Sequence, residues 1–284
     1  MRERSPGVTD DDVLAAVREH WDSAATAIQH VPLGFGAHHW RVGGLFVTLD
    51  LPNHKHTAAT LEATYAGAAR LREAGLEFVH ASLPTAHGTF TAPFGDGSLS
   101  ATRWVDAPRA DSPAGPPILD RLHAAAPPGG LRPWRPLVGP DLADDLAGRT
   151  ARPWSEGPHG ETARGAVAQH LDDIAAWTTT YHRHAAATDP ATWVATHGEP
   201  HERNLLVTPE GPLLVDWESL MLAPRERDLA HTEQEGNPAM LEMFHLEWRL
   251  DEVAQYAAWF ERPHGDSDND RTALGGLLHQ LDRV

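Results

Sequence analysis

Apolar residues recur along this chain with two different spacings. In some short runs they occupy every second position, as in LFVTLDL (45–51), where β-branched residues also favour an extended backbone. Around 33–42 (LGFGAHHWRV), glycines separate two further short extended runs. This pattern predicts strands at 45–51, 78–83 and 99–106. A helix is predicted over 13–28, capped by Asp10 to Asp12, and another over 57–74, ending at Gly75. These elements together predict a small α/β lobe.

The second half of the chain has mainly helical spacing. The segments after Asp106 are rich in proline, glycine and alanine, which indicates connections or the ends of short helices. Apolar positions three and four residues apart predict helices over 161–188 and 238–261. Between them, LLVTPEGPLLVDW (205–217) predicts a β-hairpin turning at Pro209 to Gly211. We therefore expect a lobe of residues 1–105 and a larger, mainly α-helical lobe of residues 106–284.

Composition narrows the class of protein. The 284 residues include no cysteine, which excludes disulfides, thiol catalysis and cysteine-bound metals. The formal charge of −17 argues against nucleic acid or an anionic membrane as partner, and it is compatible with a small cationic ligand. No apolar run approaches the length of a membrane span, and the N-terminal residues lack the apolar stretch of a signal peptide. A cytoplasmic location is therefore expected, and the oligomeric state stays open.

The most polar short stretch is HGEPHERN, residues 197–204. His197, Glu199 and His201 alternate, as metal ligands on one face of a strand do, so a histidine–metal oxygenase or hydrolase is one hypothesis. Pro200 is unfavourable inside a strand, and this hypothesis gives no role to Asn204 or to later acids. The metal hypothesis is therefore the weaker one.

A phosphoryl-transfer centre accounts for more of these residues. Kinase catalytic loops have the form H-R-D-x-x-x-x-N and are followed, after a strand, by a metal-binding aspartate. Here His197-Gly198-Glu199 is followed by four residues and then Asn204, and Asp216 follows twelve residues later, after an apolar strand. A loop carboxylate is needed at the accepting hydroxyl, while the asparagine and the aspartate are needed at the metal. The spacing meets all three requirements.

On these motifs the chain resembles the aminoglycoside phosphotransferase family, and within it the spectinomycin-phosphotransferase-like branch. The resemblance is carried by HGEPHERNLL, by LLVDWESLMLAPRERDLA and by PLGFGAHHW with LFVTLDL, which together bracket about 31–230. It implies a bilobal, protein-kinase-like α+β fold and a cleft for ATP, or GTP, with Mg²⁺. It also implies transfer of the γ-phosphoryl group to a hydroxyl of a small, cationic, antibiotic-like molecule of the aminoglycoside or aminocyclitol type.

The resemblance also assigns roles to residues. Glu199 stands at the position of the catalytic aspartate, Asn204 and Asp216 at the positions of the Mg²⁺ ligands, and Glu218 where a further acid often lies near the metals. The nucleotide site would comprise Gly34, Phe35 and Gly36 over the phosphates, and Arg103, Trp104 and Val105 beside the adenine. His197 is expected to hold backbone. Asp228 resembles a buried aspartate that fixes the catalytic loop from behind.

Two departures from the family pattern stand out. Glu199 is one methylene longer than the usual aspartate. The strand lysine that holds the α- and β-phosphates is missing, because Thr48 stands at about its place. Lys55, Arg41 and His39 are the nearby groups that remain as phosphate contacts. It also follows that the helix glutamates, Glu62 or Glu73, lack the salt bridge that they usually form with that lysine.

The missing lysine keeps other functions open. Within the same chemistry, the acceptor could be a nucleoside-type antibiotic or another metabolite alcohol. A nucleotide-binding pseudokinase is a different class, and the histidine–metal enzyme is a third. The sequence names neither the acceptor, nor the hydroxyl, nor the biological role.

Overall fold

The computed structural model describes residues 5, 7–34 and 36–282. Phe35, one of the residues expected over the phosphates, lies outside them. The chain forms two compact units, of which the first comprises Met1–Trp134 with Pro190–Glu235 and the second Arg135–Asp189 with Gly236–Val284. The segment that carries the catalytic motifs thus belongs to the same unit as the N-terminal sheet. The expected boundary between two lobes, near residue 105, differs from the boundaries of these two units, and it stays a prediction.

A five-stranded antiparallel sheet forms the first part of unit one. Its strands are β1 (Ile28–Val31), β2 (His38–Val42), β3 (Leu45–Asp50), β4 (Ala92–Phe94) and β5 (Gly97–Arg103), in the order β1-β2-β3-β5-β4. Alternation puts Trp40, Val47 and Leu49 into a core shared with Val13 and Val17. The opposite face of the sheet carries the polar residues of the site described below.

Two helices accompany this sheet. Helix α1 (Asp10–His20) is capped by Thr9, whose hydroxyl accepts from the amide of Asp12, so the cap is one residue earlier than predicted. The prediction that this helix continues to residue 28 is wrong, because Asp22 accepts a bond from the amide of Ala24 and turns the chain into β1. Helix α2 (Ala58–Glu73) matches its prediction, with Gly75 at φ 95° directly after it.

The predicted strand at 78–83 is not formed. Instead, the backbone of Phe78 and His80 makes two hydrogen bonds with Leu214, at 2.7 and 3.0 Å, as an isolated bridge. Periodicity cannot distinguish a strand of a sheet from an apolar segment that pairs with a distant hairpin. This pairing joins the catalytic segment to the N-terminal part of the chain.

The catalytic segment lies among short elements of unit one. They are α3 (Pro116–Ala124), β6 (Val194–Thr196), β7 (Leu205–Thr208), β8 (Gly211–Leu214), β9 (Met221–Ala223) and α7 (Glu226–Leu229). Strands β7 and β8 form the predicted hairpin, and β6 pairs with β9. The two turns that follow β6 and β8 carry the predicted catalytic residues.

Unit two is helical over its described residues. It contains α4 (Leu142–Thr150), α5 (Gly160–Gln169), α6 (Leu171–Ala185), α8 (Pro238–Phe260) and α9 (Asp268–Asp282). The single helix predicted over 161–188 is wrong, because the chain breaks at His170, whose ring bonds back to the carbonyl of Ala166 at 2.8 Å. Tyr181 of α6 is fully buried and donates to Glu247 of α8. The helical spacing of apolar residues in 238–261 also predicts that Met240, Phe244, Trp248, Tyr256 and Phe260 are buried. Phe244 and Phe260 are buried, whereas Met240, Trp248 and Tyr256 are only partly covered.

Among the described residues, none of the helices has the length and apolar character that crossing a membrane requires.

Candidate active site

The loop after β6 is held by a buried histidine. The ring of His197 is fully covered, with Nε2 2.8 Å from the carbonyl oxygen of Val215 and Nδ1 3.2 Å from the amide of Glu199, which donates to it. Because both ring nitrogens are engaged with backbone, neither is available to a metal. Within the described part of the chain, no group of three or more His, Cys, Asp or Glu residues is arranged to hold a metal ion. These contacts remove the histidine–metal hypothesis and confirm that His197 holds backbone.

Asn204 connects the two halves of the site. Its side-chain Nδ2 donates to the carbonyl oxygen of Glu199 at 3.1 Å, and its own carbonyl accepts from the amide of Val215 at 2.9 Å. The first bond uses the Nδ2 donor and leaves Oδ1 as the acceptor atom of the side chain. The second places Asp216, the next residue after Val215, beside the loop. The three predicted catalytic residues are thus brought together by two hydrogen bonds.

Asp216 has a strained backbone. Its φ of 71° and ψ of 61° lie in the left-handed region, and it is the sole non-glycine residue with positive φ among those the structure describes. The strain is maintained by Trp217, which is buried, donates from Nε1 to the carbonyl of Leu214 at 2.7 Å and packs edge-on against His197 at 4.6 Å. Strain that the surrounding structure enforces in this way is typical of functional positions.

Asp228 of α7 fixes the catalytic loop from behind, as predicted. Its carboxylate is fully buried and accepts from the amides of His197 at 3.1 Å and Gly198 at 2.6 Å. His123 of α3 lies 2.8 Å from the same carboxylate. Burial opposes the charge, but the hydrogen bond from His123 and the nearby positive groups outweigh it and lower the pKa of Asp228. The loop geometry therefore depends on this one carboxylate.

Gly198 is required by its surroundings. Its φ is 100°, and a Cβ there would overlap the guanidinium of Arg227, which donates to the hydroxyl of Thr196 at 3.0 Å. This arrangement explains why glycine stands between His197 and Glu199.

The carboxylate of Glu199 is one-third exposed and lies near Lys55, His201 and His231. Its Oε2 is 3.7 Å from Nε2 of His201. Partial burial alone would raise the pKa of Glu199, but His201, Lys55 and His231 outweigh it and lower the pKa to about 2. Glu199 is therefore ionised at neutral pH, so both of its oxygens can accept a hydrogen bond from a hydroxyl. Its low pKa makes it a weak base and a good orienting group.

Three acids meet on the polar face of the sheet. Asp50, the last residue of β3, is buried and accepts from Tyr65 of α2 at 2.9 Å. Burial raises the pKa of Asp50 to about 7, and the charge of Asp216 adds to the shift. Burial and the neighbouring Asp216 also raise the pKa of Glu218 well above its usual value. Neighbouring carboxylates repel one another here unless protons or a cation intervene.

This donor set suits Mg²⁺. It offers carboxylate and amide oxygens, which hard cations prefer, and their mutual repulsion would be relieved by a divalent charge.

The turn between β1 and β2 carries the glycines expected over the phosphates. Gly34 and Gly36 have φ of 68° and 110°, a conformation that favours glycine. A Cβ at Gly34 would lie 3.4 Å from Nε2 of His39, so that imidazole is the side chain next to the turn. The ring also stacks on Phe46, with centroids 5.0 Å apart.

The segment expected beside the adenine is partly engaged with the protein. The carbonyl of Arg103 lies 2.9 Å from Nε2 of His80, and the amide of Trp104 donates to the carbonyl of Gly44 at 2.8 Å. The guanidinium of Arg41 packs over the Trp104 ring at 4.5 Å. If this segment forms backbone hydrogen bonds with an adenine, the carbonyl of Trp104 and the amide of Val105 are therefore the groups to consider.

The helix α2 is tied to the sheet without a lysine. Glu62 accepts instead from the amides of Phe90 and Thr91, at 2.9 and 2.8 Å. The bond from Tyr65 to Asp50 makes the connection between α2 and β3. Sequence reasoning missed Asp50, Tyr65 and His123. The one signal that pointed to Asp50 was an acid at an inward-facing position at the end of a β-branched strand.

His56, in the loop before α2, should make the protein sensitive to acid. It is buried, and burial together with Arg132 lowers its pKa to about 4. The ring is neutral in the folded state, so its contribution to stability is present above pH 6.5 and is lost as the pH falls towards 4. We expect the free energy of unfolding to fall over this range, by at most about 3 kcal/mol from this residue.

The measurement is urea unfolding of the protein and of His56→Gln between pH 4 and 8. The variant should show a smaller loss of stability on the acid side, whereas His87→Gln, at an exposed position, should follow the original protein. If the free energy of unfolding depended on pH equally in His56→Gln and in the original protein, the assignment of this acid sensitivity to His56 would be contradicted.

Comparison with known proteins identifies the class. A family model described as "Phosphotransferase enzyme family" (APH) matches residues 28–274. The chain therefore belongs to the APH phosphotransferase family and is a phosphotransferase with an alcohol group as acceptor. It is 27% identical, over 289 residues, to Protein StrN of Streptomyces griseus, and the match covers 89% of this chain and 86% of that protein.

Solved structures agree with this class. Spectinomycin phosphotransferase APH(9)-Ia, in complex with ADP and spectinomycin, superposes with a TM-score of 0.75 at 15% identity, covering 98% of this chain and 96% of that one. A choline/ethanolamine kinase family protein from Mesorhizobium loti gives a TM-score of 0.59 at 16% identity, covering 96% and 95%. At such identities the likeness shows the fold alone, and it confirms the predicted kinase-like α+β fold class.

Proposed function

We propose that this chain transfers the γ-phosphoryl group of ATP to a hydroxyl of a small, antibiotic-like molecule of the aminoglycoside or aminocyclitol type, in a Mg²⁺-dependent reaction. The observation that carries this proposal is the pair of bonds made by Asn204, to the carbonyl of Glu199 and from the amide of Val215. They bring together the backbone segments that carry Glu199, Asn204 and Asp216, which supports a shared site for an orienting carboxylate and two metal ligands. The names of the relatives, a spectinomycin phosphotransferase among them, support the substrate class.

Each residue has a role in this proposal. Glu199 accepts a hydrogen bond from the substrate hydroxyl and aims its oxygen at the phosphorus. Asn204, through Oδ1, Asp216 and Glu218 would hold Mg²⁺. When bound, the ion would supply positive charge to the phosphate oxygens. Because phosphoryl transfer has a loose transition state, orientation and charge neutralisation matter more than base strength. The low pKa of Glu199 is compatible with that chemistry.

The nucleotide is assigned to the polar face of the sheet. Gly34, Phe35 and Gly36 would cover its phosphates, and the Trp104–Val105 peptide would face the adenine. In this arrangement residues 1–105 form the nucleotide-binding lobe and 106–284 the catalytic and substrate-binding lobe. A formal charge of −17 favours a cationic acceptor over an anionic one.

The test is release of ADP from ATP and Mg²⁺ across a panel of aminoglycosides, aminocyclitols, nucleoside antibiotics and amino alcohols, with mass measurement of each product. Phosphorylation of an aminoglycoside or aminocyclitol supports the proposal. If only a nucleoside antibiotic or an amino alcohol is phosphorylated, the proposed substrate class is wrong and the proposed reaction type stands. Nucleotide binding with no transfer to any member of the panel would indicate a pseudokinase. Replacing ATP by GTP in the same assay reports the nucleotide preference.

Glu199→Gln should reduce kcat with little change in KM for the nucleotide. The amide retains the shape of the side chain but loses the charge that orients the hydroxyl, so a fall of about 100-fold in kcat is expected. Steady-state kinetics with the best acceptor of the panel measures it. Glu210→Gln, on the exposed hairpin turn, is the matched control. An unchanged kcat for Glu199→Gln would show that Glu199 does not orient the acceptor.

A further inference from the structure

A cation is missing where kinases place the strand lysine, and one side chain occupies that place. Strands β2 and β3 pair His39 directly with Thr48, so both side chains lie on the polar face of the sheet. Nδ1 of His39 is 3.1 Å from Oγ1 of Thr48. The imidazole therefore covers the position from which a lysine at residue 48 would extend.

The Nε2 edge of the His39 ring faces the glycine turn at Gly34. Nε2 is the atom that a Cβ at Gly34 would meet, at 3.4 Å, and stacking on Phe46 fixes the plane of the ring. The hydroxyl of Thr48 can donate to Nδ1, which leaves the proton of the neutral ring on Nε2. On the other side of the site, the charge of Asp216 acts on the same imidazole, although burial dominates and lowers the pKa of His39 to about 4. His39 is thus adjacent to the turn expected over the phosphates, and it is near enough to Asp216 for that charge to act on it.

Arg41 and Lys55 are the cationic side chains that the sequence offers as phosphate contacts, and both interact with other groups. Arg41 lies on the same face of β2 but packs over the Trp104 ring at 4.5 Å, at the adenine segment. The positive charge of Lys55 acts on Glu199 and helps to lower the pKa of that carboxylate. Neither of them stands next to Gly34 as His39 does.

We propose that Nε2–H of His39 donates a hydrogen bond to a phosphate oxygen of the bound nucleotide, in place of the strand lysine. This inference rests on the proposed function, because it requires a nucleotide at this face. A neutral donor is compatible with a site that contains Asp50, Asp216 and Glu218, since a metal ion bound there would supply the positive charge. Thr48 acts through His39 as a positioning residue that sets the tautomer.

The test compares two ligands that differ in their phosphates. Binding of ADP with Mg²⁺ and of adenosine is measured by calorimetry for the original protein, His39→Gln and His39→Asn. The glutamine amide reaches about as far as Nε2 and retains a donor there, whereas the asparagine amide reaches only as far as Nδ1. We expect His39→Gln to bind ADP nearly as well as the original protein. His39→Asn should lose about 10- to 100-fold in affinity for ADP and little for adenosine.

The outcomes separate this inference from the proposed function. If the original protein binds no ADP, the proposed function fails and the inference with it. If the original protein binds ADP, and His39→Asn lowers the affinities for ADP and adenosine equally or leaves both unchanged, only the inference is overturned. His39 would then support the turn without contacting phosphate. Arg41→Ala should affect both ligands to the same extent, and a loss selective for ADP in that variant would assign the phosphate contact to Arg41 instead.

Discussion

Replacing Asp216 by asparagine should lower the rate of phosphoryl transfer by about 1,000-fold or more, because the substitution removes a charged ligand of the proposed metal site. The same change should leave the melting temperature of the ligand-free protein unchanged or higher. Asparagine tolerates the left-handed backbone that residue 216 adopts, and loss of the charge relieves repulsion from Glu218 and Asp50. Activity and stability are therefore expected to respond in opposite directions.

The measurements are the initial rate of ADP release with the best acceptor and a thermal melt without ligands. Glu218→Gln is a useful companion, because it removes a neighbouring acid without disturbing the backbone of residue 216. It should stabilise the protein in the same way and reduce the rate less. Full activity of Asp216→Asn would remove Asp216 from the metal site. A large fall in the melting temperature of Asp216→Asn would mean that this variant loses activity because it unfolds.

Asp228→Ala should be the most destabilising single substitution in the catalytic segment. It leaves the amides of His197 and Gly198 without their acceptor and His123 without its carboxylate, all in a fully buried position. Removing one partner of such a buried set costs about 3–5 kcal/mol. Urea unfolding measures this loss. Asp120→Ala, at an exposed position of α3, is the control and should lie within about 0.5 kcal/mol of the original protein.

Asp228→Asn distinguishes the structural role of this residue from a direct catalytic one. Its side-chain oxygen can still accept from one loop amide, so the variant should be less destabilised than Asp228→Ala and should retain measurable transfer. The account of Asp228 as a support of the loop would be contradicted if Asp228→Ala unfolded at the same urea concentration as the original protein.

The catalytic motif could be predicted from sequence because its geometry is local. Glu199, Asn204 and Asp216 lie within one loop and the hairpin that follows it, and a strand pairing of fixed register decides where each of them emerges. The buried support from Asp228 is implied by the family resemblance, since its partners His197 and Gly198 lie about 30 residues earlier in the chain. The resemblance to a known family gave these positions their roles, which remain proposals for this chain.

What could not be predicted depends on contacts between distant parts of the chain. Asp50 and Tyr65 become partners only when α2 packs beside β3, and no spacing in the sequence signals that pair. Segment 78–83 has the composition of a strand, but its backbone bonds are made with Leu214, far along the chain. The break at His170 comes from a side-chain bond to the backbone within a continuous helical pattern. In each case a tertiary or local polar contact overrides the periodicity.

The central claim is that Glu199, Asn204 and Asp216 form one site for a nucleotide and a divalent cation. Calorimetric titration with a non-hydrolysable ATP analogue, with and without Mg²⁺, tests it in the original protein and in Asp216→Asn. We expect the original protein to bind the analogue much more tightly when Mg²⁺ is present, and Asp216→Asn to lose that difference. Absence of binding, or an equal enhancement by Mg²⁺ in both proteins, would contradict the claim.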